Sequence, residues 1–271
     1  MNMVRNGYEC KSWIDDYLIR DIPTSSYWND ETLEKNKVFD ISGGDFARLQ
    51  SATAVKGILP QIADFCDGPD TGNLMGKGIS LGSGVCWLEA ELLKRYPSIS
   101  HLTCLEFSRH RIFSLAPKLL AHERIAPERV ALCLGSFYDL RVEDQSLNFV
   151  LLCQAFHHAA DPDRLISEIL RVLQPGGVIL IVGEHYFGWK IRLDRLLRHY
   201  VKWLIDFKRY RSKTPFFPKY KHLFPGDPVK GDIHYSLEDY SEIFERFGLS
   251  WHHIKHTKSS LQGFLLKSNA A

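Results

Sequence analysis

Several stretches of the 271-residue chain place glycine, acidic or imidazole groups where apolar runs end. The first is Ile79-Ser80-Leu81-Gly82-Ser83-Gly84-Val85-Cys86. A glycine-rich turn at the end of an apolar run lets a ligand approach the backbone, because glycine adopts left-handed conformations and carries no side chain. Trp87 occupies the place of the third glycine of a dinucleotide fingerprint. No Gly-Lys-Ser/Thr follows, which excludes a phosphate-cradling loop. The second stretch is Leu105-Glu106-Phe107-Ser108. Glu106 comes 22 residues after Gly84, and an acidic residue at about that distance can accept hydrogen bonds from both hydroxyls of a ribose. A solvated strand-end carboxylate is the plainer alternative. Phe107 beside it can lie flat against a purine ring.

Histidines mark the other run ends. His157 and His158 follow Gln154-Ala155-Phe156, His185 and Tyr186 follow Val182-Gly183-Glu184, and His234 and Tyr235 precede a helical stretch. Imidazole titrates near neutrality, so these are candidates to take a proton from an acceptor. His157 and His185 are the preferred bases. His158, Tyr186, Arg192, His234 and Tyr235 are candidate substrate contacts. His158 also has a purely structural reading, as a strand-end hydrogen-bonding group.

Positioning these groups takes alternating elements. Strands are predicted at 78–81, 101–106, 130–134, 147–154 and 178–183, with helices at about 87–95, 108–122 and 161–173. Strand–helix alternation predicts a parallel sheet covered on both faces, and right-handed crossovers make it doubly wound. A further helix at 236–247 and strands near 249–256 and 261–267 add an antiparallel edge hairpin, for seven strands in all. The expected class is α/β, a mostly parallel Rossmann-like sheet. Residues 1–73 read as an N-terminal helical extension. Trp13, Ile14, Tyr17 and Leu18 stand at helical spacing, a second helix runs from Asp45 to Phe65, and 67–73 is a turn-rich linker. Core residues are then 74–187 and 233–271, with 188–232 inserted between them.

Composition is globular, at 45% hydrophobic and 24% charged residues. The longest apolar run, Val178–Val182, is far shorter than the ~20 residues that cross a bilayer. The N-terminus shows no secretory pattern, so a soluble cytoplasmic protein is expected. Six cysteines without a CxxC pair read as reduced, buried thiols, and no metal site is expected from ligand spacing. The net charge of +2 conceals a split. Residues 190–230 carry twelve Lys and Arg against three Asp, or +9, leaving −7 for the rest.

The stretch from Gln145 to Gly183, with its AFHHAADP turn and RVLQPGG ahead of an apolar strand, resembles the class I S-adenosylmethionine-dependent methyltransferases, in particular the ubiquinone-biosynthesis and small-molecule group. The resemblance covers about 74–187 and, more loosely, 233–267. It implies S-adenosylmethionine as cofactor. Gly82, Ser83 and Gly84 would face its methionine part, Glu106 its ribose, and Phe107, Ser136 and Phe137 its adenine, while Gln154 would approach its amino group. Three positions depart from the family pattern. Ser80 replaces an acidic residue, Cys86 a glycine and Ser136 an aspartate.

The insertion, 188–232, is expected to be a basic lid over the substrate. Leu193, Leu196, Leu197, Tyr200, Val201, Leu204 and Phe207 make one helical stripe. Its charge fits an anionic small or lipid-like substrate, peripheral contact with an anionic membrane, or RNA. No RNA-binding module is recognisable and the sequence pI is only 8.2, so nucleic acid is not the expected partner. The expected reaction is methyl transfer to an oxygen, or a nitrogen, of such a metabolite. The alternatives are an RNA methyltransferase and a non-catalytic cofactor-binding scaffold that docks to a partner or membrane. Formation of an oligomer stays open.

Overall fold

The computed structural model describes residues 2–14, 55–66, 74–205, 215–255 and 261–268. The chain opens with β1 (Asn2–Arg5) and β2 (Tyr8–Ser12), followed by α1 (Val55–Cys66), β3 (Gly76–Leu81), α2 (Trp87–Arg95) and β4 (Ile99–Glu106). A π-helical turn, His110–Leu115, leads into α3 (Ala116–His122). Next come β5 (Val130–Leu134), β6 (Leu147–Cys153), α4 (Pro162–Val172), β7 (Leu173–His185) and α5 (Trp189–Ile205). The chain ends with α6 (Tyr220–Leu223), α7 (Leu237–Arg246), β8 (Leu249–Lys255) and β9 (Leu261–Ser268).

The strands form one nine-stranded sheet in the order β1-β2-β5-β4-β3-β6-β7-β9-β8. β2, β5, β4, β3, β6 and β7 run parallel, and β9 joins antiparallel to β7. β3 is central, with its crossovers leaving in opposite directions. That switch point is where doubly wound sheets bind ligands. Ile79, Leu81, Val150, Leu152, Ile179 and Ile181 are all buried, as expected for strands covered on both faces.

Local signals fix the helices beside the site. Asp161 caps α4 by accepting from Arg164 N at 3.0 Å, Pro162 starts it, and Leu165, Ile166, Ile169 and Val172 bury one face. Ser236 and Asp239 form a reciprocal capping box on α7, whose Tyr240, Ile243 and Phe244 are buried.

The sheet has nine strands rather than the seven expected, and residues 2–12 are a hairpin, not helix. The reason is local. Asn6 and Gly7 both have positive φ, 49° and 88°, the geometry of the Asn-Gly turn that best matches strand twist. Trp13 then continues the pairing by donating to Leu134 O at 2.8 Å. Tyr17 and Leu18 lie outside the described residues, as do Asp45, the start of the predicted second helix, the 67–73 linker and Phe207. What is described of that helix, α1, is part of the core, with Ile58, Ile62 and Phe65 buried. All six cysteines are unbridged. No helix among the described residues is long and apolar enough to cross a membrane.

Candidate functional site

The glycine turn follows β3 directly. Gly82 N and Ser83 N both donate to Leu105 O, at 2.8 and 3.0 Å, which docks the turn on the end of β4. Gly82 has φ 72°, and a Cβ there would meet the Ala155 Cβ at 2.8 Å. Gly84 has φ 57°, and a Cβ there would meet nothing within 4 Å, so its backbone faces open space. Cys86 also adopts a left-handed conformation, φ 61°, while fully buried. Its place is therefore one that glycine fills without strain.

Glu106 is the hub of this end. Its Oε2 accepts from Gly84 N at 2.8 Å, and its Oε1 accepts from Phe107 N and Ser108 N at 2.9 and 2.8 Å. A carboxylate offers about four acceptor positions, so three are taken by backbone and one remains for a ligand hydroxyl. Phe107, Ser136, Phe137 and Gln154 are each half-buried. Gly135 N donates to Glu106 O at 3.1 Å, which brings the Ser136–Phe137 turn alongside. Ser136 Oγ accepts from Tyr138 N at 3.2 Å. Gln154 has φ 50°, marking a sharp turn at the end of β6.

Ser80 pairs with an acidic group on the helix that follows. Glu89, in the first turn of α2, is buried and accepts from the Ser80 hydroxyl at 2.5 Å. Burial pushes its carboxyl up from 4.5 to about 7, with the Ser80 hydrogen bond opposing. Because the folded state holds this proton more tightly, this group's contribution to stability is full below pH ~4.5 and is lost as pH rises through about 7. Glu89→Gln should remove that loss. Urea unfolding of both proteins at pH 5 and pH 7.5 checks it. An identical pH dependence in the two would contradict the assignment.

The histidines gather on the other side of the same edge. His157 Nδ1 lies 2.9 Å from Glu184 Oε2, at the end of β7. Glu184 is fully buried and also accepts from Ala155 N and Phe156 N, at 3.2 Å each, and from the Tyr240 hydroxyl at 3.1 Å. Burial alone would lower the His157 pKa, but the Glu184 charge and hydrogen bond outweigh it and raise it. The Glu184 carboxyl, which burial would raise, is held below its ordinary value by His157. His158 is pushed down to about 4 by burial and by His157. His185 is also lowered, by burial first and then by His157. The His185 ring lies 5.4 Å from that of His157, 5.6 Å from that of His234 and 6.1 Å from that of Phe187.

Two predicted substrate residues are occupied structurally. The Arg192 guanidinium donates to Phe187 O at 3.0 Å and sits 5.1 Å over the Tyr220 ring, so it braces α5. The Tyr235 hydroxyl donates to Ala159 O at 2.7 Å. Tyr186 and His234 are half-buried at the edge. Sequence reasoning missed Glu89, Glu184, Asp232 and Tyr240. For Glu184 the signal is a carboxylate closing an apolar strand, Ile179–Gly183.

Residues 79–181, from β3 into β7, match the family model described as a methyltransferase domain. That stretch carries a methyltransferase domain. The chain is 41% identical over 85 residues to an uncharacterised methyltransferase of Mycobacterium bovis, covering 30% of this chain and 34% of that one. It is 35% identical over 98 residues to an uncharacterised methyltransferase-like protein of Schizosaccharomyces pombe, covering 34% of each. These matches span about a third of the length of the curated relatives. Among solved structures it resembles a SAM-dependent methyltransferase from Aquifex aeolicus (TM-score 0.51, 13% identity, 93% of this chain and 98% of that one). It also resembles a Haemonchus contortus phosphoethanolamine N-methyltransferase 2 solved with S-adenosyl-L-methionine (TM-score 0.51, 14% identity, 78% and 51%). At such identities the likeness is one of fold.

The resemblance to such methyltransferases implies S-adenosylmethionine as cofactor, and the residues present fit it. The open backbone at Gly84 and the remaining acceptor position of Glu106 lie at one strand end, with Phe107 and Phe137 as candidate walls for the adenine.

Proposed function

We propose that this methyltransferase acts on an oxygen of a small or lipid-like anionic metabolite in a cytoplasmic biosynthetic step, with His185 taking the acceptor's proton. The carrying observation is the division of roles among the imidazoles. His157 is buried and committed to Glu184 through Nδ1. His185, half-buried at the end of β7, lies in an environment that keeps it neutral. A neutral imidazole at the sheet's ligand-binding edge is suited to accept a proton.

Bound S-adenosylmethionine supplies an already activated methyl group, so the protein's task is alignment and exclusion of water. Gly82 and Gly84 admit the ligand, and Glu106 holds a ribose hydroxyl. Phe187 and Phe224, stacked at 4.4 Å, close the edge below α5. The +9 charge of 190–230 supports an anionic acceptor. A lipid-like one is supported by α5, whose Leu193, Leu197, Val201 and Leu204 are exposed among Lys190, Arg198 and Lys202. That face suits peripheral contact with an anionic membrane.

The test is transfer of label from methyl-tritiated S-adenosylmethionine to a panel of hydroxylated and amino acceptors, anionic and neutral, with RNA included. Label on an oxygen of an anionic organic acceptor is expected. Label on nitrogen only, or on RNA, would overturn the reading.

A further inference from the structure

We propose that His157, His158 and Asp232 form a binding site for a divalent transition cation of the zinc class. One nitrogen from each imidazole and one oxygen from the carboxylate all lie within 4.8 Å of one another. His158 Nδ1 is 3.3 Å from Asp232 Oδ1, and His157 Nε2 is 4.0 Å from the same oxygen. With metal–ligand bonds of about 2.0–2.1 Å, neighbouring ligands of a tetrahedral ion sit roughly 3.3 Å apart. One pair already has that separation, and the other, at 4.0 Å, needs to close by about 0.7 Å.

The surroundings resemble those of a built site. A ligating histidine characteristically gives its other N–H to a carboxylate or backbone carbonyl, which fixes the ring. The His157 ring does so, and His158 also has a backbone partner. His157 Nδ1 meets Glu184 Oε2 at 2.9 Å, with Tyr240 holding Glu184 in turn, and His158 is hydrogen-bonded to the Gly231 backbone. Asp232 is fixed to the same turn, because Ile233 N donates to His157 O at 2.8 Å and Asp232 bridges back to Asp227. Two imidazoles and one carboxylate favour zinc, iron or cobalt over magnesium or calcium, which prefer all-oxygen sets. Three protein ligands leave a coordination position open. The ion's role rests on the reading of methyl transfer to oxygen: a hydroxyl coordinated there would lose its proton more readily, with His185 nearby to take it.

The test uses the full chain, stripped by chelator and titrated with Co²⁺ and then Zn²⁺. One equivalent of Co²⁺ should give visible d–d bands without thiolate charge transfer, displaced by Zn²⁺. His158→Ala and Asp232→Ala should each lose the bands at concentrations that saturate the wild type. Glu184→Gln should weaken binding by about 10- to 100-fold. S-adenosylhomocysteine binding, measured on the same samples, should persist in the His158 and Asp232 variants, which separates loss of the metal from loss of the fold or of the cofactor site. Thiolate bands, no binding by the wild type, or undiminished binding in both ligand variants would overturn the site.

Discussion

Glu184→Ala should cost about 3–5 kcal/mol of folding stability, the usual penalty for breaking a buried charged pair from one side. The substitution removes the acceptor of four donors at once: Ala155 N, Phe156 N, His157 Nδ1 and the Tyr240 hydroxyl. None of them can turn to bulk water, because Ala155, Phe156, His157 and Tyr240 are all buried. For a domain of this size the loss corresponds to a fall in Tm of roughly 10 °C. Tyr240→Phe deletes only one of those bonds and should cost about 1 kcal/mol. Urea denaturation of the three proteins measures both. A Glu184→Ala loss below about 1 kcal/mol would mean that the carboxylate does not organise the turn after β6, and the placement of the histidines would need another cause.

His185→Asn should lower turnover by about 10²- to 10⁴-fold, the range associated with losing a general base. Asparagine keeps a polar side chain of similar reach but cannot take the proton. The residue is on the opposite side of the edge from Glu106 and the glycine turn, so affinity for S-adenosylhomocysteine should stay within a factor of about two. Steady-state kinetics with an acceptor found by the labelling screen, alongside calorimetry, reads both quantities. A rate within threefold of the wild type would assign the proton to another group. A large fall in cofactor affinity would make His185 a structural residue.

The parallel core was legible because its strands are short apolar runs separated by amphipathic helices and punctuated by glycine. The 130–134 strand coincides with β5, and the others differ by a few residues at their ends, β7 most because it runs on through Pro175-Gly176-Gly177. The N-terminal hairpin was not legible from helical spacing, although Asn6-Gly7 is a strong hairpin signal. Trp13 and Ile14 imitate a helical pair because they follow the strand and pack on the core.

At the site, the glycine turn and Glu106 could be found from spacing alone. The backbone amides that occupy most of Glu106 could not, since they depend on how the turn docks on β4. The same holds for Ser80. Its hydroxyl pairs with a carboxyl nine residues downstream, on a helix facing it. Glu184, Asp232 and Tyr240 join His157 and His158 only through tertiary packing. Their separations of up to 83 residues along the chain leave no short motif to read.

The most direct measurement is calorimetric titration of the full chain with S-adenosylhomocysteine, beside Glu106→Ala. One-to-one binding by the wild type is expected, with affinity lowered by a factor of about 100 or more in the variant, where three amides lose a charged acceptor and the proposed ribose contact is removed. No binding by the wild type, or equal binding by both proteins, would contradict a cofactor site at the Gly82–Gly84 turn and Glu106.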